Sequence, residues 1–343
     1  MKLKLKELLS SSESYLLLSF FIAILFIFGY VFYSPNYYPS SSPIRFDIEK
    51  GESFSSIVDR LYEQNIIPSK ANFRIAAFIY GVEKKVRAAR YYIPNGLSYL
   101  DLLDLLISGK CYFAQRVQIS DGHTIKWLAS RLKWQVFTDS TEFVNLTEDT
   151  IFIRELGLNV NSLQGYLFPK VYKIYEHSSS REILTILYKG LKDFFVDSLK
   201  RRADEIGFTI HEVLTLASIV EGETNNVEEM PLIAGVYHNR LRIGMRLQAD
   251  PTIQYILPGG WRRLLNDDLE IDSPYNTYKY AGLPPGPINN PGKNAIIAVL
   301  YPEQHKYLYF VANGKGSHNF SKTLNEHSRK VKEYRRWVRS QSN

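Results

Sequence analysis

Residues 15–33 read YLLLSFFIAILFIFGYVFY, nineteen positions without a charge, broken only by Ser19 and Gly29. As a helix at about 1.5 Å per residue this run covers roughly 28 Å, close to the hydrocarbon thickness of a bilayer. A core helix is the blander reading, but apolarity on every side of the run counts against it. A cleaved signal peptide is the stronger rival. The run exceeds a usual signal-peptide apolar region, and no small-x-small site follows before Ser34, Pro35 and Asn36. The segment reads as an uncleaved signal anchor. Lys2, Lys4 and Lys6 precede it, whereas residues 34–43 carry no charge. The positive-inside rule then puts residues 1–14 in the cytoplasm and about 300 residues on the other side. Residues 34–44 form a linker, and its serine- and proline-rich part from Asn36 to Pro43 predicts an exposed tether.

A chain of 343 residues has room for about two domains. Charged residues at 22% and hydrophobic ones at 45% exclude a wholly disordered chain or a coiled coil. The net charge of +7 leans towards anionic partners: nucleic acid, anionic lipid or an acidic wall polymer. A body outside the cytoplasm argues against nucleic acid. The single cysteine, Cys111, excludes an intramolecular disulfide and a multi-cysteine zinc site.

Three segments beyond the anchor share one spacing of apolar and glycine positions. They are Ile48, Gly51, Phe54, Ile57, Leu61; Ile93, Gly96, Tyr99, Leu102, Leu106; and Ile119, Gly122, Ile125, Leu128, Leu132. Each predicts a short strand, a glycine turn and an amphipathic helix. Ser53, Ser98 and Thr124 stand two residues after the glycine, where an N-cap hydroxyl belongs. Such strand–helix units over residues 45–160 resemble the LysM-like glycan-binding modules of bacterial surface proteins. A packing scaffold without a ligand is the alternative.

Residues 161–343 have a different texture and are expected to form a second domain. Gln164 to Pro169 is a compact aromatic turn, and a helix is predicted from Arg181 to about Ile206. A second helix runs from His211, with Leu214, Leu216, Ile219 and Val220 on its apolar face, and Gly222 is expected to end it. A third, from about Asn226 to Ile243, holds Pro231 in its first turn. Residues 283–288 and 289–292 are rigid loops of the kind that line a site. Residues 307–312 predict a strand, 313–316 a hairpin turn, and a basic helix follows from about Thr323.

The seven histidines are dispersed, and His211-Glu212 lacks the second histidine of a zinc-protease helix, so no metal site is expected. No nucleophile-elbow serine, serine–lysine pair with its partner motifs or glycine-rich phosphate loop is present. Glu221 is the convincing acid. It follows Leu216 to Val220 directly, so its carboxyl lies where a buried helix meets a loop. Partial desolvation there raises a carboxyl pKa, as a general acid at neutral pH requires. Glu223, two positions on, would point to a different side.

Residues 216–224, LASIVEGET, resemble the catalytic signature of the YceG-like endolytic murein transglycosylases (the MltG family). Residues 239–252, 275–278, 282–286 and 309–318 resemble further blocks of that family, in the same order. With the anchor, the likeness covers nearly the whole chain. It implies an α+β body of LysM-like modules and a mixed α/β catalytic domain, held at the bacterial inner (cytoplasmic) membrane by one helix. It also implies cleavage of the β-1,4 bond between N-acetylmuramic acid and N-acetylglucosamine, without cofactor or metal. In such a cleavage the muramoyl C6 hydroxyl attacks its own C1 and leaves a 1,6-anhydro end. One carboxyl, Glu221, can serve as acid and then base. Gln248, Asp250, Thr252, Tyr275, Asn276 and Tyr278 are the expected substrate-binding residues. Asp250 is also the best second carboxylate for a lysozyme-like hydrolase, the runner-up, although Asp250-Pro251 is equally readable as a turn. A non-catalytic wall-binding protein is the other alternative. Expected partners are nascent glycan strands and, by the resemblance, peptidoglycan synthases. Two departures stand out: family members commonly have a lysine at Gly222, and acidic residues where this chain has Gln164 and Lys170.

Overall fold

The computed structural model describes residues 11–39, 43–259 and 262–341. Lys2, Lys4 and Lys6, which carry the orientation argument, and residues 40–42 of the linker lie outside the described residues. The fold is mixed α/β, with its strands confined to two-stranded pairs among the described residues. The chain divides into two compact units, Met1–Ala114 and Gln115–Asn343.

The first unit begins with α1 (Ser11–Tyr33), the apolar helix. Then follow β1 (Ile44–Asp47), α2 (Phe54–Glu63), α3 (Lys70–Tyr80), β2 (Arg90–Ile93) and α4 (Tyr99–Ile107). β1 and β2 pair antiparallel, Ile44 opposite Ile93 and Asp47 opposite Arg90. The core packs Phe46, Leu61, Phe73, Tyr91 and Leu102. Most of α1 is exposed, as a lipid-facing helix would be, but Phe32 near its end is buried against Tyr99.

The linker is not a free tether. Asn36 N–H donates to Leu97 O at 2.9 Å, Gly96 N–H to Asn36 O at 3.0 Å, and the Tyr38 hydroxyl to Ile93 O at 2.6 Å. Tyr37 and Tyr38 bring aromatic area that composition read as loop, and Tyr38 is 5% exposed.

The second unit contains β3 (Ala114–Gln118), α5 (Ile125–Val136), α6 (Ser140–Leu146), α7 (Thr150–Glu155), β4 (Val171–Tyr175), α8 (Ser180–Phe194) and α9 (Asp197–Glu205). It continues with α10 (Ile210–Glu223), α11 (Met230–Arg242), α12 (Asp250–Ile256), α13 (Lys293–Leu300), β5 (Tyr309–Ala312), β6 (His318–Ser321) and α14 (Leu324–Gln341). β3 pairs with β4, and β5 with β6 in an antiparallel hairpin, Tyr309 opposite Ser321. α10 is the central element: Val213 through Val220 are all buried, and α11, α12 and α13 pack around it.

The local signals of the repeat are present in all three segments. Gly51, Gly96 and Gly122 have positive φ, and Ser53, Ser98 and Thr124 each accept a backbone N–H in the first turn of α2, α4 and α5. The third segment, however, folds into the second unit, where Val117, Leu128 and Leu132 join its core. The boundary of the compact units therefore precedes this segment instead of following residue 160.

Two expected helices and one expected turn differ. The helix from Arg181 breaks at Phe195 and Val196, where Phe195 is buried at 4% exposure, and α9 restarts from the extended Val196. Gly222 does not end α10, which runs on through Glu223. Asp250 and Pro251 form the first turn of α12, where proline lacks only an N–H that had no helical partner.

Candidate active site

Glu221 stands in the last turn of α10 and faces a groove of about 1220 Å³. Asp121, His123, Trp127, Gln164, Pro251 and Tyr255 are among the lining residues. Gly292 N–H donates to Glu221 Oε2 at 2.9 Å. Burial pushes the Glu221 pKa up to about 7; the Gly292 bond works against that shift and the Asp121 charge adds to it. A helix C-terminus also disfavours a carboxylate. Glu221 thus retains a proton near neutrality.

Asn290 ties the elements behind the groove together. Its backbone N–H and its side-chain amide both donate to His123 O, at 3.0 and 2.9 Å, and its carbonyl accepts from Gly122 N–H at 2.9 Å. Its Oδ1 accepts from Gly165 at 2.9 Å and Leu167 at 3.2 Å. One asparagine therefore ties the turn before α5, the aromatic turn and the loop before α13 to one another. Asn289 continues the seam by donating to Ser218 O on α10 at 2.8 Å. His123 lies flat on Trp127, with 3.5 Å between ring centroids, and supports an aromatic wall.

Of the catalytic and substrate-binding residues expected from the sequence, only Glu221 lines the groove; the six substrate-binding positions do not, whereas Ile288 and Asn289 of the expected site-lining loops do. Asn276 and Thr252 are fully buried in scaffold bonds. Asn276 Nδ2 donates to Leu269 O and Ile271 O, and Thr252 Oγ1 bonds Ala249 O and Thr277 Oγ1. Gln248 is exposed with φ +48°, its N–H on Thr277 O. Tyr275 packs on Tyr255, and the Tyr278 hydroxyl donates to Asp250. These residues support α12, whose Pro251, Gln254 and Tyr255 form the wall.

Asp250 stands closer in its electrostatics to Glu223, whose carboxyl accepts from the Tyr237 hydroxyl and is pushed above the usual range by burial. The carboxyl that acts on Glu221 is Asp121. Sequence reasoning missed it, along with His123 and Trp127, because they sit in a segment read as a LysM-like strand–helix unit apart from the catalytic domain. The only signal was an acid directly before the third glycine turn.

The departures have local explanations. Gln164 is 5% exposed and its Oε1 accepts from Ile125 N–H at the start of α5, a role that needs an oxygen but no charge. Lys170 lies over the Tyr172 ring, away from the groove lining. Gly222 is crowded: a Cβ there would sit 2.7 Å from Pro251 Cβ. Among the described residues no cluster of histidine, cysteine and acidic side chains could hold a metal ion.

The sequence pattern of the YceG-like family matches residues 46–333, across both units. The chain belongs to the YceG-like family. This YceG-like chain is 30% identical over 323 residues to the endolytic murein transglycosylase of Bacillus subtilis (strain 168), with 90% of this chain and 89% of that protein covered. It is 37% identical over 182 residues to the endolytic murein transglycosylase of Streptococcus pneumoniae serotype 2, covering 50% of this chain and 32% of that longer protein. A crystal structure of a YceG-like protein from Listeria monocytogenes aligns at a TM-score of 0.58 and 32% identity, over 84% of this chain and 99% of that one.

Proposed function

We propose that this YceG-like chain is an endolytic lytic transglycosylase that cleaves peptidoglycan strands, with Glu221 as its acid and base. The observation that carries the reading is one carboxyl, Glu221, held protonated near pH 7 over a groove in a protein whose relatives are named endolytic murein transglycosylases. Gly292 N–H occupies Oε2, so Oε1 is the oxygen free to work. Protonated Glu221 gives its proton to the oxygen of the β-1,4 bond between N-acetylmuramic acid and N-acetylglucosamine. The C1–O bond breaks, and the C6 hydroxyl of the same muramoyl residue bonds to C1. Its proton passes to the Glu221 carboxylate, which regenerates the acid. No water is consumed, and the new end is 1,6-anhydro-muramoyl. A high pKa suits both halves, since it keeps the proton on at rest and makes the carboxylate a better base afterwards.

α1 serves in this reading as a single transmembrane anchor of the inner (cytoplasmic) membrane, with the N-terminus inside and the body outside. The β1–α2–α3–β2 unit is its LysM-like glycan-binding module. Tethering raises the local concentration of the groove near nascent strands and so limits their length. Peptidoglycan synthases are the fitting protein partners.

A hydrolase is the second reading, favoured by Asp121 as a second carboxylate in the groove. Mass spectrometry of peptidoglycan digested with wild type and Glu221→Gln separates the two. Internal fragments with anhydro-muramoyl ends, absent with the variant, are expected. Reducing ends carrying added water make the chain a hydrolase, and binding without any fragment makes it a wall-binding protein.

A further inference from the structure

We infer that Asp121 is a positioning residue that holds the proton on Glu221 between turnovers, by setting an unpaired carboxylate on the glycine that orients Glu221. The inference rests on the reading of Glu221 as the acid.

Gly292 is the shared residue. Its N–H holds Glu221 Oε2 at 2.9 Å. A Cβ built on it would meet Asp121 Cγ at 2.4 Å, Oδ2 at 2.6 Å and Oδ1 at 2.7 Å. The Asp121 carboxylate therefore rests against the bare Cα of Gly292. The backbone there, φ −78° and ψ 171°, is open to any residue. Conformation does not require glycine at 292; room for Asp121 does. From the other side, a Cβ on Gly122 would come 3.4 Å from Glu221 Cγ, so the Asp121 turn lies directly against Glu221.

The turn cannot drift away. Gly122 and His123 are bonded to Asn290 through three hydrogen bonds, and Ile119 N–H donates to Lys170 O at 3.0 Å just before the turn. Asp121 itself has no hydrogen-bond partner among the described residues, so its charge is not spent on a scaffold contact. Among the described residues, the one cation candidate whose charge acts on it is His123. Burial and the Arg131 charge push its pKa down, which leaves it neutral at pH 7.

The other charged groups around Glu221 are accounted for. On α10, Glu223 is bonded to Tyr237; on α12, Asp250 is bonded to Tyr278; Lys126 of α5 and Glu148 beyond α6 line the groove and, like the outer side of Asp121, are exposed. Of these neighbours, Asp121 is the one whose charge acts on Glu221. The side of Asp121 turned to Gly292 is desolvated and its pKa is raised too, but the large shift is that of Glu221, which carries the proton. For an enzyme that uses a single carboxyl twice, this arrangement keeps the acid loaded and strengthens the base formed on its release.

The test is the pH dependence of kcat/KM for full-length protein on uncrosslinked glycan strands, comparing wild type, Asp121→Asn, Asp121→Glu and Glu221→Gln, with thermal unfolding as a fold check. Activity needs protonated Glu221, so it falls as pH rises through the Glu221 pKa. Removing the Asp121 charge lowers that pKa, and the alkaline limb of Asp121→Asn moves to lower pH. Its loss then grows with pH, reaching several-fold above neutrality, and Asp121→Glu restores the limb. An unmoved limb, or an equal loss at every pH, overturns the inference while leaving the Glu221 reading intact. Retained cleavage in Glu221→Gln overturns both.

Discussion

At Glu221 the proposed function and stability pull against each other. Its folded pKa of about 7 lies above the ordinary 4.5, so between those values the folded chain binds more protons than the unfolded one. Stability therefore falls as pH rises through that window and the buried carboxyl must ionise. Glu221→Gln keeps the shape and removes this cost. It is expected to abolish cleavage and to be more stable than wild type at pH 8, by about 1–3 kcal/mol after allowing for partial solvent contact. At pH 4 the two proteins should unfold alike. Chemical denaturation at both pH values checks this, and an equal difference at the two would contradict it. Glu221 was legible because an acid directly after five buried-type residues has to sit at the rim of the core. Asp121 was not, because its importance comes from Gly292, far along the chain.

At the scale of elements, short-range chemistry governs where helices start. Ser53, Ser98 and Thr124 accept the N–H groups that a first turn leaves unpaired, and each follows a glycine whose positive φ turns the chain out of its strand. Where helices stop is less local. Gly222 has poor helix propensity, yet α10 continues through it because Pro251 of α12 packs on the missing side chain. Two effects compete at Gly222→Ala. Propensity favours alanine by about 1 kcal/mol. A Cβ 2.7 Å from Pro251 forces α12 to shift, at about 1–3 kcal/mol. The variant is expected to unfold at lower temperature and to bind glycan less well, since Pro251 and Tyr255 wall the groove. A higher melting temperature would show that α12 moves freely.

For the molecule as a whole, the first unit is more continuous with the apolar helix α1 than its composition suggests. Asn36 and Tyr38 are bonded to the β2–α4 connection, and Ile44 begins the β1–β2 ladder. A soluble body starting at Ser34 is expected to be more stable than one starting at Arg45. The buried Tyr38 ring alone is worth about 1–3 kcal/mol. Melting curves of the two bodies check this, and equal temperatures would return residues 34–44 to the role of a loose tether.

What the sequence determined by itself is what short-range physics decides: an apolar run long enough for a bilayer, capped helices after glycine turns, and one acid at the end of a buried helix. The family likeness was legible for the same reason, since its blocks are contiguous runs. Tertiary structure alone decided that the third strand–helix segment belongs with the second unit, that Gln248 to Tyr278 brace α12, and that Asp121 reaches Glu221. Asn290 and His123, 167 residues apart, make the hydrogen bonds that bring these parts together. Local propensity is blind to such a pairing, because its energy exists only once the intervening chain has folded and closed the loop.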